Sequence, residues 1–462
     1  MGSEGTAEVA ATMAAIVGAS HVVTDDDVRA GYERDWTGRY SGRCSMVVRP
    51  GSTAEVSAVL ARCAADHLPV VPQGGNTGLV GGGVPRATAP VAPIVVSLSR
   101  LDRITDLDVD AMQVTAGAGV TIADWQAAAR SAGLDTPIDF AARDSATVGG
   151  AIATNAGGSR VVRFGTMRHQ VVGVEAVLAD GSVVGSLAGL PKETVGLHWP
   201  SLMTGSEGTL GIVTAARLRL VPRFDHVVTA MVSLASIGDA VTLAGRVRAR
   251  LASLDSLELL LPAATELVAT HLGERPAVTA TGPVVIIECA AHTDCTAELA
   301  AVLADAPGVR DTAVAVDPVR RQQLLHFRDR VPEAIGAAAT VGGTPTFKLD
   351  VAVPLRALDE LLDVAQLAAD ADGAQLVAFG HLAEGNVHLN HLGATDTERI
   401  ADTVLDAVAR LGGTISAEHG IGIAKTRWVH LIRRPDDLAA QRAIRHALDP
   451  QQIMNPGVLD PI

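Results

Sequence analysis

The sequence predicts a protein of two or three domains in which helices and sheets are combined. At 462 residues the chain is too long for one ordinary hydrophobic core. It is 48% hydrophobic and only 19% charged, which is typical of a globular protein rather than a disordered one. Glycine-rich clusters fill the first half. From about residue 224 onward, apolar strands such as 284–288 and 347–353 alternate with Ala/Leu-rich helical stretches such as 355–370. This second pattern indicates a separate sheet with helices packed on it.

Charge and targeting features exclude several classes of protein. The net charge of −14 argues against a general nucleic-acid binder. The N-terminus lacks the basic flank of a signal peptide, and prolines interrupt the most apolar stretch, residues 79–98, so no membrane helix is expected. None of the cysteines forms a C-x-x-C pair, which predicts buried free thiols in a reducing compartment: Cys44, Cys63, Cys289 and Cys295. We therefore expect a cytoplasmic protein.

A helix and a strand are predicted before the first glycine cluster. Ser52 and Glu55 have the spacing of a capping box, and the apolar side chains that follow fall on one helical face: Val56, Val59, Leu60 and Cys63. Residues 69–72 are predicted to form a short strand. The loop 73–83, Q-G-G-N-T-G-L-V-G-G-G, comes directly after it. Glycines let backbone N–H groups turn toward an anion. The alternative is a flexible linker, which its place between apolar segments disfavours.

Further small-residue clusters occur at 148–158, at 163–166 and at 205–214. No G-x-G-x-x-G opens a helix of a βαβ unit, and no G-x-x-x-x-G-K-[ST] is present, so neither a Rossmann site nor a P-loop is supported. Several separate clusters indicate a long ligand that many loops contact through their backbones.

Five motifs in this order resemble one family. They are P-Q-G-G-N-T-G-L at 72–79, G-G-A-I-A-T-N-A-G-G at 149–158, G-S-E-G-T-L-G-I-V-T at 205–214, the C-terminal pair H-L-A-E-G-N-V-H and S-A-E-H-G-I-G, and D-P-Q-Q-I-M-N-P-G-V-L at 449–459. They are similar to the FAD-linked D-2-hydroxy-acid dehydrogenases of the p-cresol methylhydroxylase and vanillyl-alcohol oxidase superfamily. This branch holds D-2-hydroxyglutarate dehydrogenase, D-lactate dehydrogenase and the glycolate oxidase FAD subunit. The resemblance covers residues 43–462.

The resemblance implies an α+β fold in three parts. These are a two-subdomain FAD-binding domain of the p-cresol methylhydroxylase type (1–222), an α+β substrate domain with an antiparallel sheet (223–415), and a C-terminal segment that returns to the FAD domain (416–462). It assigns FAD contacts to Gly74, Gly75, Asn76, Thr77, Gly78, Ser145, Gly149, Thr154, Asn155, Gly158, Glu207, Gly211, Ile212 and Asn455. Some relatives attach the flavin covalently through a histidine where this chain has Asn76, so non-covalent FAD is expected.

Residues 375–391 are predicted to form a hairpin. If residues 383–386 make its turn, Leu382 pairs with Val387 and His381 faces His388. Asn390 then shares the face of His388. The Cβ atoms of directly paired residues lie about 5 Å apart, which suits two imidazoles that bind one metal ion. The alternative is a pair of solvated or hydrogen-bonded histidines.

The resemblance implies a divalent metal on His381, His388 and Glu418, with His419 as the catalytic base. Two imidazoles and a carboxylate with open positions are typical of a catalytic metal site, and zinc or manganese would suit them. The family commonly reads H-x-G-D-G-N-x-H, whereas Ala383 and Glu384 replace the Gly and Asp here.

The resemblance also implies a carboxylate-binding pair, Arg328 and Lys348, with Asn390 and His381 as further substrate contacts. Arg321 and Arg328 are spaced to share one helical face, which is otherwise typical of a solvated basic stripe. Relatives that act on dicarboxylates often carry a hydroxyl residue where Pro332 stands, so 2-hydroxyglutarate itself is weakly supported.

The sequence thus predicts metal-assisted oxidation of a D-2-hydroxy acid to the 2-oxo acid, with hydride transfer to FAD. The expected partners are a small 2-hydroxy acid and an electron acceptor, namely an electron-transfer protein, a quinone or a dye. A homodimer is left open. The alternatives are an alcohol or sugar oxidase that uses oxygen, a metal hydrolase, and a flavin subunit that only relays electrons.

Overall fold

A computed structural model of the chain describes residues 3–343 and 346–459. The strands are β1 (Val22–Val23), β2 (Met46–Val48), β3 (Val70–Gln73), β4 (Ile94–Ser97), β5 (Ile104–Asp108), β6 (Gln113–Gly117), β7 (Leu134–Asp135), β8 (Val171–Val177), β9 (Val183–Ser186), β10 (Ile212–Arg219), β11 (Val221–Pro222), β12 (His226–Leu234), β13 (Leu254–Leu260), β14 (Val284–Ala291), β15 (Val309–Ala315), β16 (Phe347–Ala352), β17 (Gln375–His381) and β18 (Asn386–Leu392).

The α-helices are α1 (Ser3–Val17), α2 (Asp26–Glu33), α3 (Thr53–Ala65), α4 (Ile122–Ser131), α5 (Val148–Thr154), α6 (Val161–Phe164), α7 (Met167–Gln170), α8 (Trp199–Met203), α9 (Ile237–Arg250), α10 (Pro262–Leu272), α11 (Thr296–Ala304), α12 (Pro318–Asp329), α13 (Val331–Gly342), α14 (Leu358–Asp372), α15 (Thr397–Arg410) and α16 (Pro435–Leu448). Short 3₁₀ turns occur at Ala19–His21, Leu355–Ala357, Leu382–Glu384 and Thr426–Leu431.

The chain divides into two compact units. The first contains residues 1–157, 165–223 and 418–462, and the second contains residues 158–164 and 224–417. The sequence-based boundaries at 222/223 and 415/416 differ from these by one and two residues. The prediction also placed 158–164 in the FAD-binding domain, whereas this segment is grouped with the second unit. The reason is ionic, because Arg160 and Arg163 both bind the carboxylate of Asp255, at 2.9 and 3.1 Å.

The first unit contains two main sheets. One has the order β1-β2-β4-β3, in which β4 is parallel to both β2 and β3, and the other is the antiparallel sheet β5-β6-β10-β8-β9. The end of the chain joins the edge of the first sheet, where Val70 forms a parallel bridge with Met454. Ile453 and Met454 are buried in the same core as this sheet.

The helix and strand predicted before the glycine loop are present as α3 and β3. Ser52 caps α3 by accepting a hydrogen bond from the backbone N–H of Glu55 at 3.2 Å. The apolar face lies in the core as predicted: Val56, Val59, Leu60 and Cys63. The strand starts and ends one residue later than predicted. A buried strand of this kind holds the start of the glycine loop at a fixed place in the first unit.

The second unit is built on one seven-stranded sheet with the order β15-β12-β14-β13-β17-β18-β16. Its neighbouring strands are antiparallel throughout, as predicted. Helices α10, α12 and α13 contribute to the core on one face of this sheet, together with side chains of β12, β14 and β17. Helix α12 carries both arginines of the predicted basic stripe.

Two further predictions concern the whole chain. All four cysteines are buried and unbridged, as expected. Among the described residues, no helix combines the length and the apolar character that a membrane span requires.

Candidate active site

The glycine loop of the first unit is held in place rather than flexible. A Cβ on Gly75 would clash with the carbonyl oxygen of Ser145, and a Cβ on Gly74 would clash with the hydroxyl of Thr147. The backbone of this loop therefore lies directly against the turn that precedes α5. The side chain of Gln73 fixes the base of the loop by donating to the carbonyl oxygen of Gly83 at 2.7 Å. The flexible-linker alternative is thus wrong.

The N-terminal segment also contacts this loop. Asn76 donates its side-chain N–H to the carbonyl oxygen of Arg34 at 2.9 Å, and the indole N–H of Trp36 donates to the carbonyl oxygen of Thr77 at 3.0 Å. Asn76 is in the left-handed conformation, with φ 52°. Among the described residues, no atom lies within 4 Å of the position that a Cβ on Gly78 would take. Phosphate groups bind to loops of this kind, in which close backbone packing aims N–H groups at an anion.

The glycine-rich cluster at residues 205–214 contacts the C-terminal segment inside the first unit. Asn455 donates its side-chain N–H groups to the carbonyl oxygens of Gly82 and Glu207, at 2.9 and 2.7 Å. The carboxylate of Glu207 accepts the backbone N–H groups of Ile421 and Gly422, at 2.8 and 2.7 Å. Glu207 therefore anchors the loop that begins with Glu418 and His419, both of which are half-buried.

Burial dominates the electrostatics of Glu207. It raises the pKa of this carboxyl to about 7, although the two backbone N–H groups and Lys425 oppose the rise. Asn155, Glu207 and Asn455 are all left-handed, with φ between 41° and 53°. Non-glycine residues in this conformation cluster at ligand sites. Of the nine such residues in the described part of the chain, four are predicted FAD contacts: Asn76, Asn155, Glu207 and Asn455.

The other predicted FAD contacts lie at the ends of elements. Gly149 packs on Ala118 in the first turn of α5, and the Thr154 hydroxyl donates to the carbonyl oxygen of Gly150 at 3.1 Å. Gly211 precedes β10, and the side chain of Ile212 lies in the core, so only its backbone can contact a cofactor. Gly158 differs, because it belongs to the segment that is grouped with the second unit.

In the second unit, the hairpin that carries the two histidines has a different register from the predicted one. His388 pairs with Phe379, not with His381, and the turn comprises residues 382–385. The cause is Asn386, which is a buried strand residue whose side chain donates to Asp350 and to the carbonyl oxygen of Val351, at 2.8 and 2.9 Å. The error is two residues, so His381 and His388 still share a face. Their ring centroids are 5.5 Å apart.

His381 is held by a carboxylate that the sequence reading missed. Its Nδ1 lies 2.6 Å from Oε1 of Glu258, and the other oxygen of Glu258 accepts from Nε of Arg328. Glu258 is 2% exposed. Burial raises its pKa, but His381 and Arg328 outweigh that effect and hold the pKa at about 2. Glu258 is therefore an ionised acceptor between two predicted functional groups.

His388 has a comparable neighbour in Asp350. Its Nδ1 lies 3.4 Å from Oδ1 of Asp350, which is itself buried. Asp350 also accepts from the side chain of Asn386 and from the backbone N–H of Ala417, at 2.8 and 3.1 Å. When Nδ1 of a histidine faces a carboxylate, the lone pair of the neutral ring lies at Nε2. Two such imidazoles on one face fit a divalent metal ion.

Lys348 and Asn390 lie on the same face of the sheet. They pair with each other two residues along from the Asp350–His388 pair, so both pairs lie on one face. Asn390 is buried and donates to the carbonyl oxygen of Val377 at 3.1 Å. Within the second unit, this face thus brings together His381, His388, Arg328, Lys348 and Asn390, while Glu418 and His419 belong to the first unit.

The hairpin turn contains Ala383 and Glu384, the two positions that depart from the family pattern. Burial raises the pKa of Glu384 to about 7, with His381 opposing and Glu258 reinforcing the rise. The turn closes through Gly385, whose φ is 66°. The departure leaves both histidines on one face.

Glu258, Asp350 and Asn386 could have been noticed from the sequence. Glu258 is a lone carboxylate in the apolar run S-L-E-L-L-L, and Asp350 alternates with apolar residues in F-K-L-D-V. Polar residues at such buried positions require partners. Which partners they find depends on strands far away in the chain, so the pattern alone does not pair them with the histidines.

Comparisons with known proteins identify two family regions in this chain. The family described as "FAD binding domain" matches residues 44–186, and the family described as "FAD linked oxidases, C-terminal domain" matches residues 224–459. A D-2-hydroxyglutarate dehydrogenase from Xanthomonas citri pv. viticola is 35% identical, over 93% of this chain and 92% of the relative. A D-lactate dehydrogenase from Archaeoglobus fulgidus is 34% identical, over 89% of this chain and 90% of the relative.

Solved structures share the fold at low sequence identity. p-Cresol methylhydroxylase with substrate bound has a TM-score of 0.76 at 17% identity, over 98% of this chain and 97% of the other. An alkyldihydroxyacetonephosphate synthase has a TM-score of 0.77 at 16% identity, over 97% of this chain and 84% of the other. The predicted α+β fold with a FAD-binding domain of the p-cresol methylhydroxylase type is confirmed. The chain belongs to the FAD-linked D-2-hydroxy-acid dehydrogenase family and is a FAD-dependent oxidoreductase of that kind.

Proposed function

We propose that this protein oxidises a D-2-hydroxy acid to the 2-oxo acid with the help of a divalent metal ion, and passes the electrons to a separate acceptor. The observation that carries the proposal is the polar face of the second unit. There, two carboxylate-held histidines lie on the same face as Arg328 and Lys348. The names of the two relatives support the substrate class, because 2-hydroxyglutarate and lactate are both 2-hydroxy acids.

FAD, when bound, supplies the redox chemistry by accepting the hydride of the substrate carbon. The residues of the first unit bind and orient this cofactor. Gly74, Gly75 and their neighbours offer backbone N–H groups to its phosphates, and Asn455 ties the loop to Glu207. Asn76 offers no nucleophile for a flavin bond, so the cofactor is held without a covalent link.

The metal, zinc or manganese, would act as a Lewis acid on the substrate's hydroxyl group. His381 and His388 would hold it through their Nε2 atoms, with Glu418 as the carboxylate ligand. Neutral imidazole and carboxylate are ligands that both ions accept. The carboxylates at Nδ1 keep the two rings in the required tautomer.

Arg328 and Lys348 bind the substrate carboxylate. Arg328 donates its Nε–H to Glu258, which holds the guanidinium so that its Nη groups can make charge-assisted hydrogen bonds. Asn390 and His381 complete the substrate contacts. His419 accepts the hydroxyl proton, and its loop is anchored by Glu207 through the backbone N–H groups of Ile421 and Gly422.

Anaerobic flavin reduction tests the proposal directly. The purified protein is mixed with matched D- and L-2-hydroxy acids, and flavin absorbance is followed before and after chelation. We expect bleaching with one or more D-acids only, loss of bleaching after chelation and recovery with Zn²⁺ or Mn²⁺. A protein without flavin, or one that hydrolyses esters instead, would contradict the assignment. Rapid peroxide formation in air would make it an oxidase.

A further inference from the structure

Glu258 occupies a place that joins two functional groups of the second unit. It lies on β13, which pairs with β17 so that Glu258 is directly opposite His381. One carboxylate oxygen is 2.6 Å from Nδ1 of His381, and the other accepts from Nε of Arg328. Arg328 in turn lies over the ring of Phe379, 4.8 Å from its centroid. The carboxylate is thus buried, and each of its two oxygens has a hydrogen-bond partner.

The chemistry of a carboxylate makes this arrangement directional. An ionised carboxylate only accepts hydrogen bonds, so Nδ1 of His381 must be the donor and the lone pair of the neutral ring lies at Nε2. The same carboxylate fixes the guanidinium plane of Arg328, because Nε–H points at it. One buried group therefore sets both the tautomer of a histidine and the orientation of an arginine.

We propose that Glu258 is a positioning residue that holds His381 for metal binding and Arg328 for substrate-carboxylate binding at the same time. This inference rests on the proposed function. A glutamine at this position offers one acceptor oxygen and one donor group, so it can satisfy only one of the two donors. Loss of Glu258 therefore affects metal affinity and substrate affinity together, whereas loss of Arg328 affects mainly substrate affinity.

The sheet provides a matched control in Glu288. This residue lies on β14, the strand next to β13, and it is a half-buried carboxylate paired with an arginine of α12. Its partner is Arg321, at 3.1 Å, but it has a threonine hydroxyl beside it instead of a histidine. Glu288→Gln also removes a carboxylate that joins this sheet to an arginine of α12. It therefore distinguishes a general structural effect of losing such a carboxylate from the specific positioning of His381 and Arg328.

The experiment compares Glu258→Gln, Glu288→Gln and the unchanged protein, all with FAD bound. Metal is removed, and Co²⁺ binding is measured by calorimetry and by its visible absorption. KM and kcat are measured for the D-2-hydroxy acid that the panel identifies. We expect Glu258→Gln to bind Co²⁺ roughly ten- to a hundredfold more weakly, with an altered Co²⁺ spectrum and a raised KM. Glu288→Gln should match the unchanged protein in all three.

A second measurement does not depend on the variant's folding. In the unchanged, metal-free protein labelled with ¹⁵N-histidine, the ring of His381 should carry its hydrogen on Nδ1, and His381→Gln identifies the resonance. A ring protonated on Nε2 instead would overturn the inference, as would wild-type Co²⁺ affinity and KM in Glu258→Gln. Failure of the unchanged protein to bind any divalent metal would instead remove the metal from the proposed function. The tautomer result would still decide the role of Glu258 in holding His381.

Discussion

His388 and His391 are three residues apart on β18, and their environments differ completely. His388 faces Asp350, whereas His391 is fully buried on the other face of the sheet, near Phe347. Within the described part of the chain, neither ring nitrogen of His391 has a hydrogen-bond partner. Burial lowers its pKa to about 4, and Asp372 only partly opposes this. His391 therefore makes the second unit sensitive to acid.

The stability of the second unit should fall between pH 6.5 and pH 4. An unfolded histidine takes up a proton below about 6.5, whereas His391 does so only below about 4, so the unfolded state binds more protons in this window. The loss amounts to about 1.4 kcal/mol per pH unit, or about 2 kcal/mol at pH 5. His391→Leu should remove it. Urea unfolding of both proteins at pH 7 and pH 5 measures the difference, and parallel pH dependence would refute the assignment.

Lys348→Met tests the carboxylate-binding role of that residue. The loss of one charged hydrogen bond costs about 1.5–3 kcal/mol, which lowers kcat/KM roughly ten- to a hundredfold. The comparison is between a D-2-hydroxy acid and the matching uncharged alcohol, with anaerobic flavin reduction as the assay. Only turnover of the acid should fall. A variant that loses both activities equally would show that Lys348 supports the fold of β16 instead.

His419→Asn separates a proton acceptor from a supporting residue. As the base, His419 contributes about 10²- to 10⁴-fold to the reduction rate, so the variant should keep FAD and metal yet reduce its flavin that much more slowly. The acidic limb of its pH–rate profile should also disappear. If full rate returns when metal is added in excess, the residue only supports Glu418 and the base lies elsewhere.

At the scale of elements, local sequence patterns predicted which face of a strand a side chain occupies better than they predicted which residues pair across two strands. The hairpin 375–391 has the predicted face because side chains alternate, so a register error of two residues leaves both histidines together. The turn was misplaced because Gly385 and Asn386 both have turn chemistry, and only the distant strand β16 explains why Asn386 is buried. Arg217 shows the same limit. It is a charged residue of β10, yet it is buried and its Nε–H donates to the side-chain oxygen of Gln113.

The hairpin turn itself should depend strictly on Gly385. Its φ is 66°, and a Cβ there would clash with the carbonyl oxygen of Val353. Gly393, just after β18, has φ 74°, and no atom of the residues that the structure describes lies within 4 Å of the position that its Cβ would take. Gly393→Ala should therefore cost only the left-handed penalty of about 1–2 kcal/mol. Gly385→Ala should lower the urea midpoint further and weaken Co²⁺ binding. Equal effects would show that the clash is relieved.

At the scale of the whole molecule, the chain passes between its two units four times, at residues 157/158, 164/165, 223/224 and 417/418. The predicted boundaries lie within two residues of the last two crossings. The first of them followed a change of pattern near residue 224, and the second followed the family resemblance. The sequence did not predict that residues 158–164 group with the second unit. Two arginines that pair with one distant aspartate leave no periodic pattern in the sequence. Chemistry divides along the same lines. Most predicted flavin contacts lie in the first unit, and His381, His388, Arg328 and Lys348 lie in the second.

The C-terminal segment should be needed for flavin binding and not only for stability. Asn455 gives two hydrogen bonds to the carbonyl oxygens of Gly82 and Glu207, and it is 3% exposed. Asn455→Ala leaves both carbonyls without these donors, which costs about 1–3 kcal/mol, so FAD affinity should fall roughly ten- to a hundredfold. Gln452→Ala is the matched control, because Gln452 is left-handed as well, with φ 55°, but exposed. Fluorescence titration of the apoprotein with FAD distinguishes them. If both variants bind FAD as the unchanged protein does and lose only thermal stability, the segment closes the core of the first unit without shaping its cofactor site.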